Sequence, residues 1–345
     1  MPHPARPTVT LREVAAAAGV SVATASRVLG GSARTVSAEN ARKVLEAASG
    51  LRYTADVAAR AMRRESDAIA LVADDLTTPS IAQVVAAMER QARTVDAFVT
   101  VSATGGDPGR QLETVRTVCA FRPRALVITS SWRATTAYGT RLAEELRAYE
   151  RRGGRVVIYG DMEAPFDAID VDDRDSGRLM GEHLAATGHR RIAVLAGTRE
   201  RTFAVARTAG FLEGLIGGGV HPHDIRVLDC PVSRAGGYAA TARLLEENAG
   251  EFDALMAVND TIAVGALSAC RAAGVDVPGR LSVTGFDDIP LAVDVTPRLT
   301  TVALPFAEIG ERCIRLALTS GQPGRPGVRQ TVSGRLVVRR SSGGA

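Results

Sequence analysis

Three pairs of adjacent aspartates, Asp74-Asp75, Asp172-Asp173 and Asp287-Asp288, are the groups in this sequence best suited to exchange protons with a substrate. Paired carboxylates do acid–base work when their surroundings hold them in different protonation states. Loop caps and hydrogen-bond acceptors account for such pairs more simply, because aspartate bonds neighbouring backbone amides in turns. The rest of the inventory does not complete a catalytic site. No Walker glycine-lysine motif occurs, no Gly-x-Gly-x-x-Gly opens a helix after the first apolar run, and the five histidines have neither metal nor triad spacing. Cys119, Cys230, Cys270 and Cys313 are too scattered for a zinc site and read as buried free thiols. The chain is therefore expected not to be an enzyme, and to need no metal and no cofactor.

A second set of residues suits recognition. Val22, Ala23, Ser26 and Arg27 could face bases: Arg27 can bond both acceptors of a guanine edge, and the methyl groups of Val22 and Ala23 match thymine methyls. Thr10, Ser21, Thr24, Ser37 and Tyr53 offer hydroxyls to phosphates, contacts that position a protein on a duplex without reading its sequence. Short helices must hold these groups. Leu11, Val14, Ala15 and Ala18 recur at helical spacing, Thr10 and Glu13 form a capping box, and Gly19 can take the positive φ that ends the helix. Ser21 then caps a second helix, Val22 to Leu29, and a third starts after Ser37 and buries Val44, Leu45 and Ala48. Helix, glycine turn and serine-capped helix is the layout of a helix-turn-helix, whose second helix enters the major groove. An alanine-rich three-helix core without a partner fits the same pattern.

The charge distribution agrees with a nucleic-acid-binding head. Residues 1–64 carry ten Lys or Arg against four Asp or Glu, so +6 of the chain's net +4 resides there and −2 in the remainder. A solvated basic face would give the same count. With 345 residues, two or three compact units are expected. No apolar run reaches membrane-spanning length, and Met1-Pro2-His3-Pro4 lacks the layout of a signal peptide, so a cytoplasmic location is expected.

After Arg64, apolar runs at 68–73, 97–101, 125–129 and 155–159 alternate with amphipathic stretches near 80–94, 109–121 and 139–152. The rhythm restarts with runs at 191–196, 225–228, 254–258 and 281–286. This predicts two successive α/β units with parallel strands, and a ligand in the cleft between them, beyond the carboxyl ends of the strands. Trp132, the single tryptophan, follows the third run, where its ring would either stack on a sugar face or pack half-buried.

The N-terminal residues Val9-Thr10-Leu11-Arg12-Glu13-Val14-Ala15, Ala18-Gly19-Val20-Ser21 and Thr24-Ala25-Ser26-Arg27-Val28-Leu29 resemble the LacI/GalR repressor family. The likeness continues through Leu51-Arg52-Tyr53 and Ala58-Ala59-Arg60-Ala61-Met62, then Gly188-His189-Arg190, Asn259-Asp260 and Gly285-Phe286-Asp287-Asp288, nearly to the end of the chain. It implies a three-helix helix-turn-helix domain at 8–55, a hinge helix or linker at 56–65, and a sensor at 66–340 of two α/β lobes, like a periplasmic binding protein. It also implies that Ala59 and Met62 touch DNA, with Met62 in the place of a leucine that wedges into the minor groove. Ala55-Asp56 replaces the family's Pro-Asn, and the loop between Gly30 and Val36 carries one extra residue. For the cleft, the resemblance implies Ser80, Ile81, Arg201, Phe203, Arg207, Val232, Asn259 and Asp287 as ligand contacts. Arg207 and Asp287 would grip vicinal hydroxyls, although as isolated residues each reads as half of a surface ion pair. The function implied is a homodimeric repressor of a palindromic double-stranded DNA operator, controlled by a sugar or nucleoside-like effector, away from any membrane. The tail after Val338 has no heptad pattern for a tetramer. A transport-type binding protein shares the two-lobed architecture, but the basic head and missing export signal argue against it.

Overall fold

The structure is a computed structural model that describes residues 9–29, 36–51, 53, 66–130, 137–162, 165–247, 251–319 and 327–343. The chain divides into two compact units, Met1–Ser66 and Asp67–Ala345.

The first unit is three helices, α1 (Leu11–Ala17), α2 (Val22–Leu29) and α3 (Ala38–Gly50). Their ends follow from the sequence. The Thr10 side chain accepts from the Glu13 amide while the Glu13 carboxylate accepts from the Thr10 amide, closing the capping box. Gly19 takes φ +64° after α1, and the Ser21 and Ser37 hydroxyls accept from the Thr24 and Asn40 amides to start α2 and α3. Val14, Ala15, Ala25, Val28, Val44 and Ala48 form the core. Leu45, expected inside, is 56% exposed. Val44 and Ala48 are one turn apart on the core face of α3, and Leu45 is turned about 100° away from Val44.

The second unit contains two parallel sheets. The first has the order β11-β5-β4-β3-β1-β2, made of β1 (Ser66–Ala73), β2 (Phe98–Ala103), β3 (Pro123–Ser130), β4 (Arg155–Gly160), β5 (Asp167–Val171) and β11 (Arg329–Val332). The second has the order β7-β6-β8-β9, made of β6 (Ile192–Gly197), β7 (Ile225–Asp229), β8 (Ala254–Ala257) and β9 (Ser282–Thr284). Both are covered by helices, which is why β1, β3 and β6 read as unbroken apolar runs and are buried almost throughout. β10 (Thr301–Ala303) pairs with β12 (Arg335–Val337) antiparallel.

The two lobes are not successive in sequence as the apolar rhythm suggested. The chain leaves the first sheet after Val171 and enters α7 (Asp173–Ala186), and α12 (Phe306–Leu318) later returns to pack against α4 (Pro79–Arg93). β11 then adds to β5 as a sixth strand, in the register Arg329↔Ala168 to Val332↔Val171. The first lobe is thus completed by C-terminal residues, and the chain crosses between the sheets three times: near Asp172, between Ala303 and Phe306, and between Val332 and Arg335. No helix among the described residues is long and apolar enough to cross a membrane.

Candidate functional site

On the first unit, α2 buries Ala25 and Val28 and turns Val22, Ala23 and Arg27 outward, with Thr24 and Ser26 half-buried. At 100° per residue, positions 22, 23, 26 and 27 lie on one arc opposite the core side. Three of the five hydroxyls expected to meet phosphate, those of Thr10, Ser21 and Ser37, sit as caps at the starts of the three helices. Helix N-termini present unpaired amides that favour anions. Thr24 bonds the Ser21 hydroxyl at 2.9 Å, and Tyr53 packs half-buried on the helical core. Ala59 and Met62 lie outside the described residues.

In the second unit, the carboxyl ends of strands from both sheets enclose a cavity of about 430 Å³. Ser80, Ile81, Arg201, Phe203, Arg207, Val232, Asn259 and Asp287 all line it. Trp132 lies outside the described residues. Sequence reasoning had not singled out other wall residues, among them Thr129 and Ser130 at the end of β3, Tyr159 at the end of β4, and Asp161 and Phe306. Most stand at or just beyond the end of an apolar run, the position a parallel sheet reserves for ligands, and that signal could have found them.

The centre of the wall is Arg207 on α8 (Thr202–Gly217). Its Nε donates to Asp173 Oδ1 at 2.8 Å, and its Nη1 donates to Asp287 Oδ1 at 2.9 Å and to the Val258 carbonyl at 2.8 Å. The guanidinium lies 3.9 Å from the centre of the Phe286 ring and 5.0 Å from that of Phe203. Arg207 and Asp287 are each 5% exposed, so this is a buried cluster and not the surface ion pair that isolated residues suggest. Burial pushes the Asp287 carboxyl up to about 6, with Arg207 opposing the shift and the Asp173 charge adding to it. Asp173 is likewise raised, by burial first, against the pull of Arg207. Asp287 has φ +115°, a costly conformation for a non-glycine residue, and is held there by its amide donating to the Val302 carbonyl at 2.8 Å and its carboxylate accepting from Arg207.

The aspartate pairs divide their work. Asp172 caps α7 by accepting from the Asp175 amide at 3.1 Å, and Asp75 accepts from the Thr77 amide at 2.8 Å, both as turn chemistry predicts. Asp74, Asp173 and Asp287 instead pair with arginines on the cavity wall. Asp74 accepts from Arg201 at 3.3 Å, linking the end of β1 in one lobe to the residue just before α8 in the other. Asn259 caps α10 (Asp260–Ala272) by accepting from the Ile262 amide at 2.9 Å, which leaves its Nδ2 without a partner among the described residues. Tyr159 is half-buried, and its phenol is pushed further from ionisation by desolvation and by Asp287 and Asp173, so it can donate a proton in a hydrogen bond throughout the physiological range.

Behind the wall, Asp260 Oδ2 accepts from the Ile289 amide at 2.8 Å, and Oδ1 lies 2.6 Å from the Thr301 hydroxyl. Burial, helped by Asp287, raises its carboxyl from 3.8 to about 8. The folded protein therefore binds a proton here that the unfolded chain has released, so this contribution to stability is complete below about pH 4 and is lost as pH climbs through about 8. Asp260→Asn mimics the protonated acid, since Thr301 can turn to accept from the new amide. We expect it to stay within about 1 kcal/mol of the parent near pH 4, to be the more stable of the two at neutral pH, and to flatten the decline in melting temperature between about pH 4 and about 8. An unchanged pH profile would show that Asp260 is ionised in the fold.

The family described as bacterial regulatory proteins of the lacI family matches residues 10–56, and a periplasmic binding protein-like domain matches 182–342. The HTH-type transcriptional regulator reg1 of Streptomyces lividans is 31% identical over 98% of this chain and 98% of its own. The chain belongs to the LacI family. Among solved structures, the Lac repressor dimer bound to operator and the anti-inducer ONPF matches with a TM-score of 0.82 and 29% identity, over 97% of this chain and 99% of that one. The transcriptional regulator CelR–cellobiose complex matches at 0.69 and 27% identity, over 97% and 100%. Like other LacI-family chains, this one is a DNA-binding transcription regulator under the control of a small ligand, with a helix-turn-helix head and a two-lobed sensor.

Proposed function

We propose that this LacI-family chain is a cytoplasmic, homodimeric repressor of a palindromic operator, released or strengthened by a polyhydroxylated effector, a sugar or a close relative. The observation that carries this reading is the buried Arg207 fork, fixed between Asp173 and Asp287 on the wall of the cavity. A fixed donor beside two acceptors suits vicinal hydroxyls, each of which both donates and accepts. Asn259 Nδ2 and the Tyr159 hydroxyl add donors, and Phe203, Ile81 and Val232 supply apolar wall for the carbon skeleton. The CelR–cellobiose complex supports a sugar in a sensor of this shape. The wall carboxylates other than Asp161 are engaged by arginines and amides, which supports binding without catalysis.

On DNA, Val22, Ala23, Ser26 and Arg27 would face bases, and Thr10, Ser21, Thr24, Ser37 and Tyr53 would face phosphates. Ala59 and Met62 would enter the minor groove at the operator centre. Exposed Phe98 and Val101 on edge strand β2, and exposed Tyr238, Leu291 and Val293 in the second lobe, offer apolar surface for a second copy, in line with the dimeric Lac repressor. An effector can change operator affinity only if it binds the free and DNA-bound forms unequally.

Fluorescence anisotropy of the full chain with the palindrome upstream of its own gene tests the reading. Tight, salt-sensitive binding altered by one member of a sugar panel is expected. Arg27→Ala should weaken operator binding about 5- to 150-fold while leaving binding to random DNA within about threefold, because a lost base contact costs roughly 1–3 kcal/mol. Equal weakening on both DNAs would make Arg27 a phosphate contact.

A further inference from the structure

Within the cavity, which is read above as a polyhydroxylated-effector site and on which this inference rests, negative charge outnumbers positive. Seven aspartates line it against two arginines, with no lysine or histidine among the lining residues. Both arginines are already committed, Arg201 to Asp74 and Arg207 to Asp173 and Asp287. Asp170 is neutralised from outside the cavity by Arg329, which donates from Nε and Nη2 at 2.8 and 3.0 Å. The excess gathers on the wall made by the ends of β4 and β5 and the start of α7. There Asp172 accepts one helix amide, whose N-terminal dipole offsets part of its charge, while Asp161 has no ion-pair or hydrogen-bond partner for its carboxylate among the described residues. Asp161 and Asp172 are near enough that their charges both push the Asp173 carboxyl upward. Asp161, Asp172 and Asp173 thus stand together on one wall of the cavity, and the one guanidinium among the described residues that meets any of them, Arg207, is shared with Asp287.

We propose that this cavity selects a cationic effector, an amine-bearing polyhydroxylated compound such as an amino sugar, with Asp161 as the counter-ion of the ammonium and the Arg207 cluster holding the hydroxyls. The same charge excess disfavours phosphorylated sugars, sugar acids and nucleotides, whose anions would enter a chamber with no uncommitted cation among the described residues. A neutral sugar would satisfy the Arg207 cluster and leave Asp161 facing only water. An ammonium replaces that water with a charge-assisted hydrogen bond.

Calorimetry on the full chain with matched probes tests the charge without requiring the natural effector: D-glucose against D-glucosamine and D-galactose against D-galactosamine, with the N-acetylated sugars as uncharged controls of similar shape. At about pH 6.5 the free amines are largely protonated. In at least one pair the amine should bind about tenfold tighter than its hydroxyl parent, the gain should vanish on N-acetylation, and the gap should narrow with salt. Asp161→Asn, an exposed substitution expected to leave melting temperature unchanged, should shrink the gap to within about threefold. A parent sugar that binds as tightly as its amine, or a gap that survives Asp161→Asn, overturns the inference and leaves the polyhydroxylated-effector reading standing. If no member of either pair binds while operator binding is intact, that reading falls along with the inference.

Discussion

Replacing Arg207 by alanine is expected to cost about 3–5 kcal/mol of stability and to abolish the effector response while operator binding persists. The guanidinium does not simply add one ion pair. Among the described residues it is the only cation in contact with Asp173 and Asp287, and it also satisfies the Val258 carbonyl. Its removal leaves all three without their donor, and an uncompensated buried charge is far more costly than the pair was favourable. The loss should be smaller in acid. Asp287 already sits near 6 with Arg207 present, and without that cation both carboxyls rise further, so protonation restores the fold as pH falls. Arg207→Met combined with Asp173→Asn and Asp287→Asn should recover most of the stability, since it removes the charges together with their partner. Because it keeps no fork for hydroxyls, it should not recover the effector response. Urea denaturation at pH 5 and pH 7.5 separates these cases. A pH-independent loss in Arg207→Ala would mean that packing on Phe286 and Phe203, and not charge, is what the arginine supplies.

The sequence revealed most where burial is continuous or a cap is local. β1, β3 and β6 are covered on both faces, so their apolar runs were legible, and the caps at Thr10, Ser21 and Ser37 need only residues three positions away. β5 and β11 were not legible. Asp167 and Asp170 interrupt the apolar pattern of β5, and what compensates them, Arg155 on β4 and Arg329 on β11, is distant in sequence or itself polar. Without β5 and β11, the threefold crossing between lobes could not be seen, and the lobes read as successive. The same non-local pairing hid Asp173 at the site, since a carboxylate at a helix start looks like a cap until the arginine above it is known. The eight ligand positions that the family resemblance implied in the described residues do share one cavity. What no local pattern carried was the charge balance of that cavity, which depends on which carboxylates have found arginines.

Gly210→Ala is expected to destabilise the sensor by about 3 kcal/mol and to weaken the effector response, even though Gly210 is not among the cavity-lining residues. α7 and α8 cross with Gly177 and Gly181 on one helix against Gly210 and Gly214 on the other, so backbone meets backbone. A Cβ on Gly210 would overlap the Arg174 carbonyl and stand 2.8 Å from the Arg178 nitrogen, and one on Gly177 would stand 2.7 Å from the Arg207 carbonyl oxygen. No flexible side chain is there to give way, so the helices must separate. Separation draws Arg207 on α8 away from Asp173 at the start of α7, a contact now 2.8 Å long. Alanine's helix propensity returns only about 1 kcal/mol of the loss. Gly217→Ala on the same helix is the control. A Cβ there meets nothing within 4 Å, and φ is not in the left-handed region, so that variant should gain about 0.5–1 kcal/mol and leave the response intact. If Gly210→Ala proved as stable as Gly217→Ala, the close crossing would not be what fixes Arg207 in place, and the clamp would have to be held from the Phe286 and Val258 side alone.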